Sequence, residues 1–437
     1  MKKIIWATWM LVTLSIAGYY GYILFKADNK QALLIGETSH GHFQIELACS
    51  SCHTEAFGGP ELIQEACVGC HGAELAEAND THPKKKFTDP RNADRLSVVD
   101  ARYCVSCHTE HHREITAPMG VTLPEDYCFH CHTDVGDDRE SHRDLAFDSC
   151  ASAGCHNYHD NRALFEDFLV HNHSGPWLKE MARLTNPNGA AILASKRVPE
   201  QQPTFPEQKT AHPDIHQEWS GSSHADAGVG CGGCHSDNRS DEWLEKPGIA
   251  QCQTCHIHEV ESYKSGKHGM RLAQSLPAIR PVDSKLPFKE TAMSLQQGCN
   301  SCHSAHRTDT LFAASEACLT CHNDEHSRGF ASSPHGRLLT QAIAGAIPVE
   351  QAVSCATCHM PRAENIVDGE AVVQVNHNQN HNLRPNEKMI RPVCMQCHNL
   401  GFSIDALADP ALIRNNFNGK PATHIPSIDW SLKRVAD

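Results

Sequence analysis

Positive charge is scarce in this 437-residue chain, and so is the material for an ordinary core. Asp and Glu outnumber Lys and Arg by 52 to 38, which leaves a formal charge of −14. No basic stripe is available to neutralise phosphates, so nucleic acid is set aside as a partner. The one basic run, Lys84-Lys85-Lys86, reads as a solvated face. Aromatic residues make up 6%, and the 40% hydrophobic share includes all 22 cysteines. What apolar material remains is thin for a length that suggests two or three domains. Alternation at strand period is not evident either, so the expected class is mainly α with much irregular structure.

What the chain does have is cysteine in a fixed pattern. Ten pairs read C-x-x-C-H: Cys49/Cys52/His53, Cys67/Cys70/His71, Cys104/Cys107/His108, Cys128/Cys131/His132, Cys231/Cys234/His235, Cys252/Cys255/His256, Cys299/Cys302/His303, Cys318/Cys321/His322, Cys355/Cys358/His359 and Cys394/Cys397/His398. An eleventh, Cys150/Cys155/His156, spaces its cysteines by four residues. This is the attachment pattern of a c-type haem: two thiols add to the vinyl groups and the next histidine ligates the iron. With 32 histidines in 437 residues, chance places one after about one pair in fourteen, not after all eleven. A tetrahedral zinc needs two pairs or extra ligands, and neither disulfides nor thioredoxin-like sites need that histidine. Eleven covalent haem c groups are expected, and they would serve as the core of a chain with little stable structure in their absence.

Spacing divides the chain. Motif histidines fall at 53, 71, 108, 132 and 156, then at 235, 256, 303, 322, 359 and 398, with no cysteine over 157–230. Leu164, Phe165, Phe168 and Leu169 recur at helical spacing and read as packing, and Pro199, Pro203 and Pro206 mark an extended linker. The expected organisation is an anchor over 1–30, a five-haem domain over 31–175, a helix and Pro-rich linker over 176–230 and a six-haem domain over 231–437. Single helices are expected to lead into motifs over 44–52, 315–321 and 350–358.

Residues 4–25 are 22 uncharged residues behind Lys2 and Lys3, long enough to span a bilayer. The lysines place the N-terminus in the cytoplasm and the rest outside. A cleaved signal peptide is the rival, but the segment is long and has no clear A-x-A site. The expectation is an uncleaved, single-pass anchor in the inner (cytoplasmic) membrane with the haem domains in the periplasm.

Beyond the motifs 21 histidines remain, nearly two per site, and bis-histidine ligation accounts for them. Distal candidates are His40, His42, His82, His111, His112, His142, His159, His171 and His173 in the first segment. In the second they are His224, His258, His268, His306, His326, His335, His377, His381 and His424. Met360 reads as packing.

The His40-x-His42-Phe run, the dense motif spacing and the C-x4-C-H site resemble the class III cytochrome c, or cytochrome c3, family over about 40–160, with five motifs where tetrahaem members have four. That resemblance implies bis-His electron carriers in which early histidines, here His40 and His42, ligate haems bound later. Residues 231–405 resemble the C-terminal part of the hydroxylamine oxidoreductase and octahaem reductase superfamily. The carriers are Tyr263-Lys-Ser-Gly-Lys-His268-Gly, Ser332-Ser-Pro-His335-Gly, Cys355-Ala-Thr-Cys-His-Met360 and Cys394-Met-Gln-Cys-His. It implies helices that present distal histidines. The departures concern catalysis: no tyrosine follows Tyr263, no C-x-x-C-K occurs, and only 39 residues follow His398.

The expectation is a membrane-anchored periplasmic eleven-haem cytochrome of anaerobic respiration. It would relay electrons between a membrane quinone-linked partner and a periplasmic or outer-membrane partner, without catalysis of its own. The alternative is an oxidoreductase for a small nitrogen or sulfur oxyanion (nitrite, hydroxylamine, tetrathionate, sulfite) at an open haem, placed by motif order at His256. A passive haem store fits least, since storage needs no ordered supply of ligands.

Overall fold

The structure, a computed structural model, describes residues 1–26, 30–55, 58–78, 82, 85–97, 99–124, 126–139, 142–143, 156, 158–159, 166–176, 178, 205–237, 240–367, 369–381 and 386–436. The described residues pack as two units. The first takes the chain up to Asp134 together with Tyr158 and His159; the second takes 135–143, His156 and everything from 166 onward. Packing therefore groups the motif histidines as four and seven, where spacing along the chain groups them as five and six, because His156 joins the second unit.

The first unit begins with helix α1 (Lys2–Phe25), whose exposed apolar side chains and mean hydropathy of 1.3 fit a membrane span or a signal sequence. Helix α2 (Pro60–Ala78) carries the second motif within its length. Much of the rest is short 3-10 turns. The helix expected over 44–52 is two such turns, Phe43–Ile45 and Cys49–Ser51, because Ala48 between them sits at φ −88°, ψ 61°, outside the helical region. No apolar cluster forms in this unit among the described residues.

The second unit has more regular structure. Helix α3 (Glu166–Asn172) buries Leu169, with Phe168 beside it, so those two residues pack as expected; Leu164, Phe165, Pro199 and Pro203 lie outside the described residues. Pro206 opens the helix Pro206–Ala211 rather than extending a linker, since a proline at the first helical position loses no hydrogen bond. Strands β1 (Ser236–Asp237) and β2 (Ser240–Trp243) form a small hairpin. Helix α4 (Glu316–Cys321) forms where expected, and α5 (Pro334–Ile343) starts at Ser333, whose hydroxyl accepts from the Gly336 amide. The segment 350–358 is instead a 3-10 turn, Val349–Gln351, followed by the helix Cys355–His359, because Ala352 is extended and Ser354 caps a new start.

Strands β3 (Arg362–Val367) and β4 (Glu370–Val375) pair antiparallel in continuous register, within a fold that is mainly helical and irregular as expected. Gly369, directly before β4, sits at φ +84°, a backbone conformation that glycine adopts without strain. Side chains in β3 do not alternate, which hid the hairpin from a periodicity search. Helices α6 (Leu400–Leu407) and α7 (Ser427–Ala436) complete the unit. Its larger core joins Leu169, Met389, Ile390, Leu400, Ile404 and Leu407; a smaller one joins Phe330, Leu339 and Ala352.

Candidate haem sites

Each motif is one helical turn. The motif histidine amide donates to the carbonyl of the first cysteine, as in His53 to Cys49 (2.8 Å), His108 to Cys104 (2.9 Å) and His398 to Cys394 (2.8 Å). At 3.6 residues per turn, positions i, i+3 and i+4 share a face, so both thiols and the imidazole point the same way. Cys150 and Cys155 of the fifth motif lie outside the described residues, as does Lys84.

The sequence gives every cysteine one role, but the structure separates them by exposure. None of the described cysteines is in a disulfide. Polypeptide encloses Cys321, whereas Cys52, Cys70, Cys131 and Cys255 are exposed and Cys397 is half-buried. The four exposed thiols, Cys52, Cys70, Cys131 and Cys255, are all second cysteines, which share a face of the turn with the imidazole, the face a macrocycle would cover. Burial raises the Cys358 thiol to about 12, so a free thiolate there is disfavoured, and a thioether, which carries no charge, suits such a place better.

Opposite each motif histidine stands a second imidazole. In the first unit the ring centres are 5.9 Å apart for His71 and His42, 6.5 Å for His53 and His111, 6.1 Å for His132 and His82, and 6.3 Å for His108 and His159. In the second they are 6.2 Å for His156 and His142, 6.0 Å for His256 and His224, and 6.1 Å for His235 and His306. His322 and His268 (6.2 Å), His303 and His377 (6.3 Å), His359 and His326 (6.0 Å), and His398 and His335 (6.2 Å) complete the set. Such rings are too far apart to touch. An imidazole–metal bond is about 2 Å, so two of them in line, with roughly 1 Å more from each nitrogen to its ring centre, span about 6 Å. Among the described residues no group of three or more His, Cys, Asp or Glu suits a bare metal ion. A pair of axial imidazoles fits a group that brings its own equatorial ligands, which is what a haem does.

The pairs are oriented from behind. Nδ1 of His82 bonds the Tyr158 carbonyl (2.7 Å), that of His108 the Gly120 carbonyl (3.1 Å) and that of His111 the Gly36 carbonyl (3.0 Å). His235 uses Leu244 (2.8 Å), His326 uses Ile413 (2.5 Å) and His377 uses Val375 (3.0 Å). Each such bond makes Nδ1 the donor and leaves Nε2 as the ligating nitrogen. His42 differs: its Nδ1 donates to the Glu110 carboxylate at 2.7 Å. Burial holds His268, His335 and His359 at about 4, below the ordinary imidazole value, so they are neutral and able to ligate at neutral pH. The glycines after His268 and His335 have a packing reason. A Cβ at Gly269 would collide with the Tyr263 carbonyl, and one at Gly336 with the Phe330 carbonyl.

Successive motifs adjoin. The first-cysteine thiols of the second and third motifs, Cys67 and Cys104, are hydrogen-bonding neighbours, as are Cys252 and Cys299, and Cys318 and Cys355.

With sites numbered by motif order, the pairing scheme repeats. His42, ahead of site one, faces site two; His82, after site two, faces site four; His111, after site three, faces site one; His159, after site five, faces site three. Five sites on, His224, His268, His306 and His377 face sites seven, nine, six and eight in the same order. His142 and His326, after sites four and nine, face sites five and ten. Site eleven, His335 with His398, stands outside the repeat, with Phe402 4.7 Å from His398.

Other candidate histidines lie elsewhere. The resemblance gave His40 and His42 one role, but only His42 faces a motif histidine; His40 is exposed with Phe43 near its ring. His112 pairs with Glu114, while His171 and His173 bond carbonyls of the α3 segment. His258 and His381 are exposed, and His424 sits between Asp405 and Asp429. At His256, where an open position was the alternative, His224 stands opposite. Sequence reasoning missed Glu110, Tyr158 stacked on His82 at 4.2 Å and Trp243 stacked on His235 at 4.1 Å. Only Glu110 had a signal, in its place immediately before a histidine that follows a motif.

The family model for cytochrome c3 matches residues 41–133 and 223–323, one stretch in each copy of the pairing scheme, with His159 and His377 beyond them. A reducing HAO-like protein complex from Kuenenia stuttgartiensis is similar in structure at 16% identity and a TM-score of 0.27, over 44% of this chain and 46% of that one. The chain thus spans under half the length of that relative. No curated protein matches.

Proposed function

We propose that this multihaem c-type cytochrome, an electron-transfer protein, works as a relay of eleven haem c groups, each anchored by one motif and held between two imidazoles. One observation carries the reading: every motif histidine faces one further histidine at 5.9–6.5 Å. Haem, when bound, supplies one-electron chemistry, and bis-imidazole ligation keeps its potential low relative to Met/His cytochromes. The chain's own part is to fix and tune. The cysteines tether, the carbonyls behind Nδ1 set each ring's tautomer and angle, and adjoining motifs keep successive sites close. The lack of an apolar cluster in the first unit supports haem as its core.

In this reading the four-site unit is a cytochrome c3-like module and the seven-site unit holds a second copy of the scheme together with sites five and eleven. Helix α1 anchors the protein in the inner membrane with both units in the periplasm, where it exchanges electrons with a quinone-linked membrane partner and a periplasmic or outer-membrane partner. His224 opposite His256 fills the coordination position that reductase chemistry there would need.

Low-temperature EPR of the fully oxidised full-length protein, with a pyridine haemochrome count, tests this. Eleven haems, all low-spin, are expected. A high-spin signal from about one haem in eleven would break the relay reading and direct attention to nitrite, hydroxylamine, tetrathionate and sulfite as substrates.

A further inference from the structure

Sites two and seven hold the same place in the repeated pairing scheme, yet they differ in what stands behind the distal imidazole. At site two, His42 Nδ1 donates to Glu110 Oε1 at 2.7 Å. The Glu110 carboxylate also accepts from the Ser39 amide (2.6 Å) and the Ser39 hydroxyl (2.8 Å).

Glu110 lies two residues after His108 and directly before His111. The residue in that place in the second copy, two after His303 and directly before His306, is Ala305. There His224 Nδ1 meets only the Ala305 main-chain carbonyl, at 3.4 Å. The proximal sides match: Glu74 approaches His71 Nδ1 at 4.0 Å, and Glu259 approaches His256 Nδ1 at 3.9 Å. The chain thus contains its own comparison, the same site with and without a carboxylate behind the distal imidazole.

A carboxylate that accepts from Nδ1 makes the imidazole a stronger donor to the metal, and its charge favours the oxidised state. We infer that Glu110 is a positioning residue that holds site two at a lower potential than its counterpart, site seven. This rests on His42 and His224 as the distal ligands of those sites. It assigns a thermodynamic difference to two sites whose motifs are alike, and it places the more reducing one in the first unit.

The test uses the full-length holoprotein and an optical redox titration. Glu110→Gln, which keeps an acceptor but removes the charge, is expected to shift about one-eleventh of the amplitude to higher potential, with every haem still low-spin. Ala305→Glu is expected to shift a similar fraction to lower potential, which guards against a Glu110 variant that matures poorly. His42→Gly separates the two levels of the argument. If it yields one high-spin haem while both exchanges leave the titration unchanged, Glu110 has no such role. If it yields none, His42 is not a ligand, and the assignment of site two falls first. Opposite shifts from Glu110→Gln and Ala305→Glu, with a high-spin haem in His42→Gly, establish the inference.

Discussion

His224 and His256 face each other with ring centres 6.0 Å apart and planes at 71°, and in the proposed relay His224 takes the position where the sequence alone leaves room for a substrate. A haem binds or activates a small molecule only through an open or weakly held axial position. The reduced full-length protein is therefore expected to show no spectral change with carbon monoxide. The variant His224→Gly should bind it at one haem in eleven. Binding by the unaltered protein would mean that an imidazole yields its place.

The fifth motif is expected to carry haem despite its longer spacing. His156 faces His142 at 6.2 Å, the same separation as at the regular sites. Replacing Cys150 and Cys155 together with serine should lower the haem count from eleven to ten by pyridine haemochrome and by intact mass. An unchanged count would leave the His142 pair without a purpose.

Much of the site was legible before any fold was known, and the reason is chemical. The motif states its ligand and its anchors within one helical turn, so the proximal half of every site reads directly from the chain. How far the protein covers each anchor was not legible, since Cys255 and Cys321 hold the same motif position and one is exposed while the other is buried. All eleven histidines that face a motif histidine were among the candidates because spare histidines are costly without a use. Which of them mattered was not legible. His40 and His42 are two residues apart, and only the turn at Phe43–Ile45 decides which one faces His71. His53 finds its partner at 111 and His303 at 377, contacts made by packing rather than by spacing. A partial rule was available: the histidine three residues after His108, His156 or His303 always faces the motif two places earlier. The hairpin of β3 and β4 escaped because its faces are not set by alternating polarity.

The apolar core of the second unit should respond as a packed core does. Ile390 and Leu400 are fully buried against each other's neighbours. Truncating either to alanine is expected to cost about 2–5 kcal/mol in denaturant unfolding followed by far-UV circular dichroism. Ile343→Ala, at a side chain 60% exposed, should stay within about 0.5 kcal/mol. Equal effects at the two positions would mean that haem contacts, not this cluster, set the unit's stability.

Stability should also carry a pH dependence from a group far from ligation. His424 Nδ1 lies 3.0 Å from Asp405 Oδ2 and its Nε2 lies 3.0 Å from Asp429 Oδ2, so it ties α6 to the first turn of α7. The two carboxylates raise its pKa to about 8, above the ordinary value of 6.5. A group whose pKa is raised on folding binds its proton more tightly in the folded state. The stabilisation is therefore complete below about 6.5 and is lost as the pH rises through about 8. Exposure of His424 and Asp429 makes it small and sensitive to salt. Thermal unfolding from pH 6 to 9 at low salt should show this loss, and Asp405→Asn should flatten it. The asparagine keeps an oxygen for the Ile425 amide, which Asp405 holds at 2.8 Å, so the turn survives while the ion pair goes. If the variant keeps the full slope, another group carries the dependence and His424 is merely a surface residue.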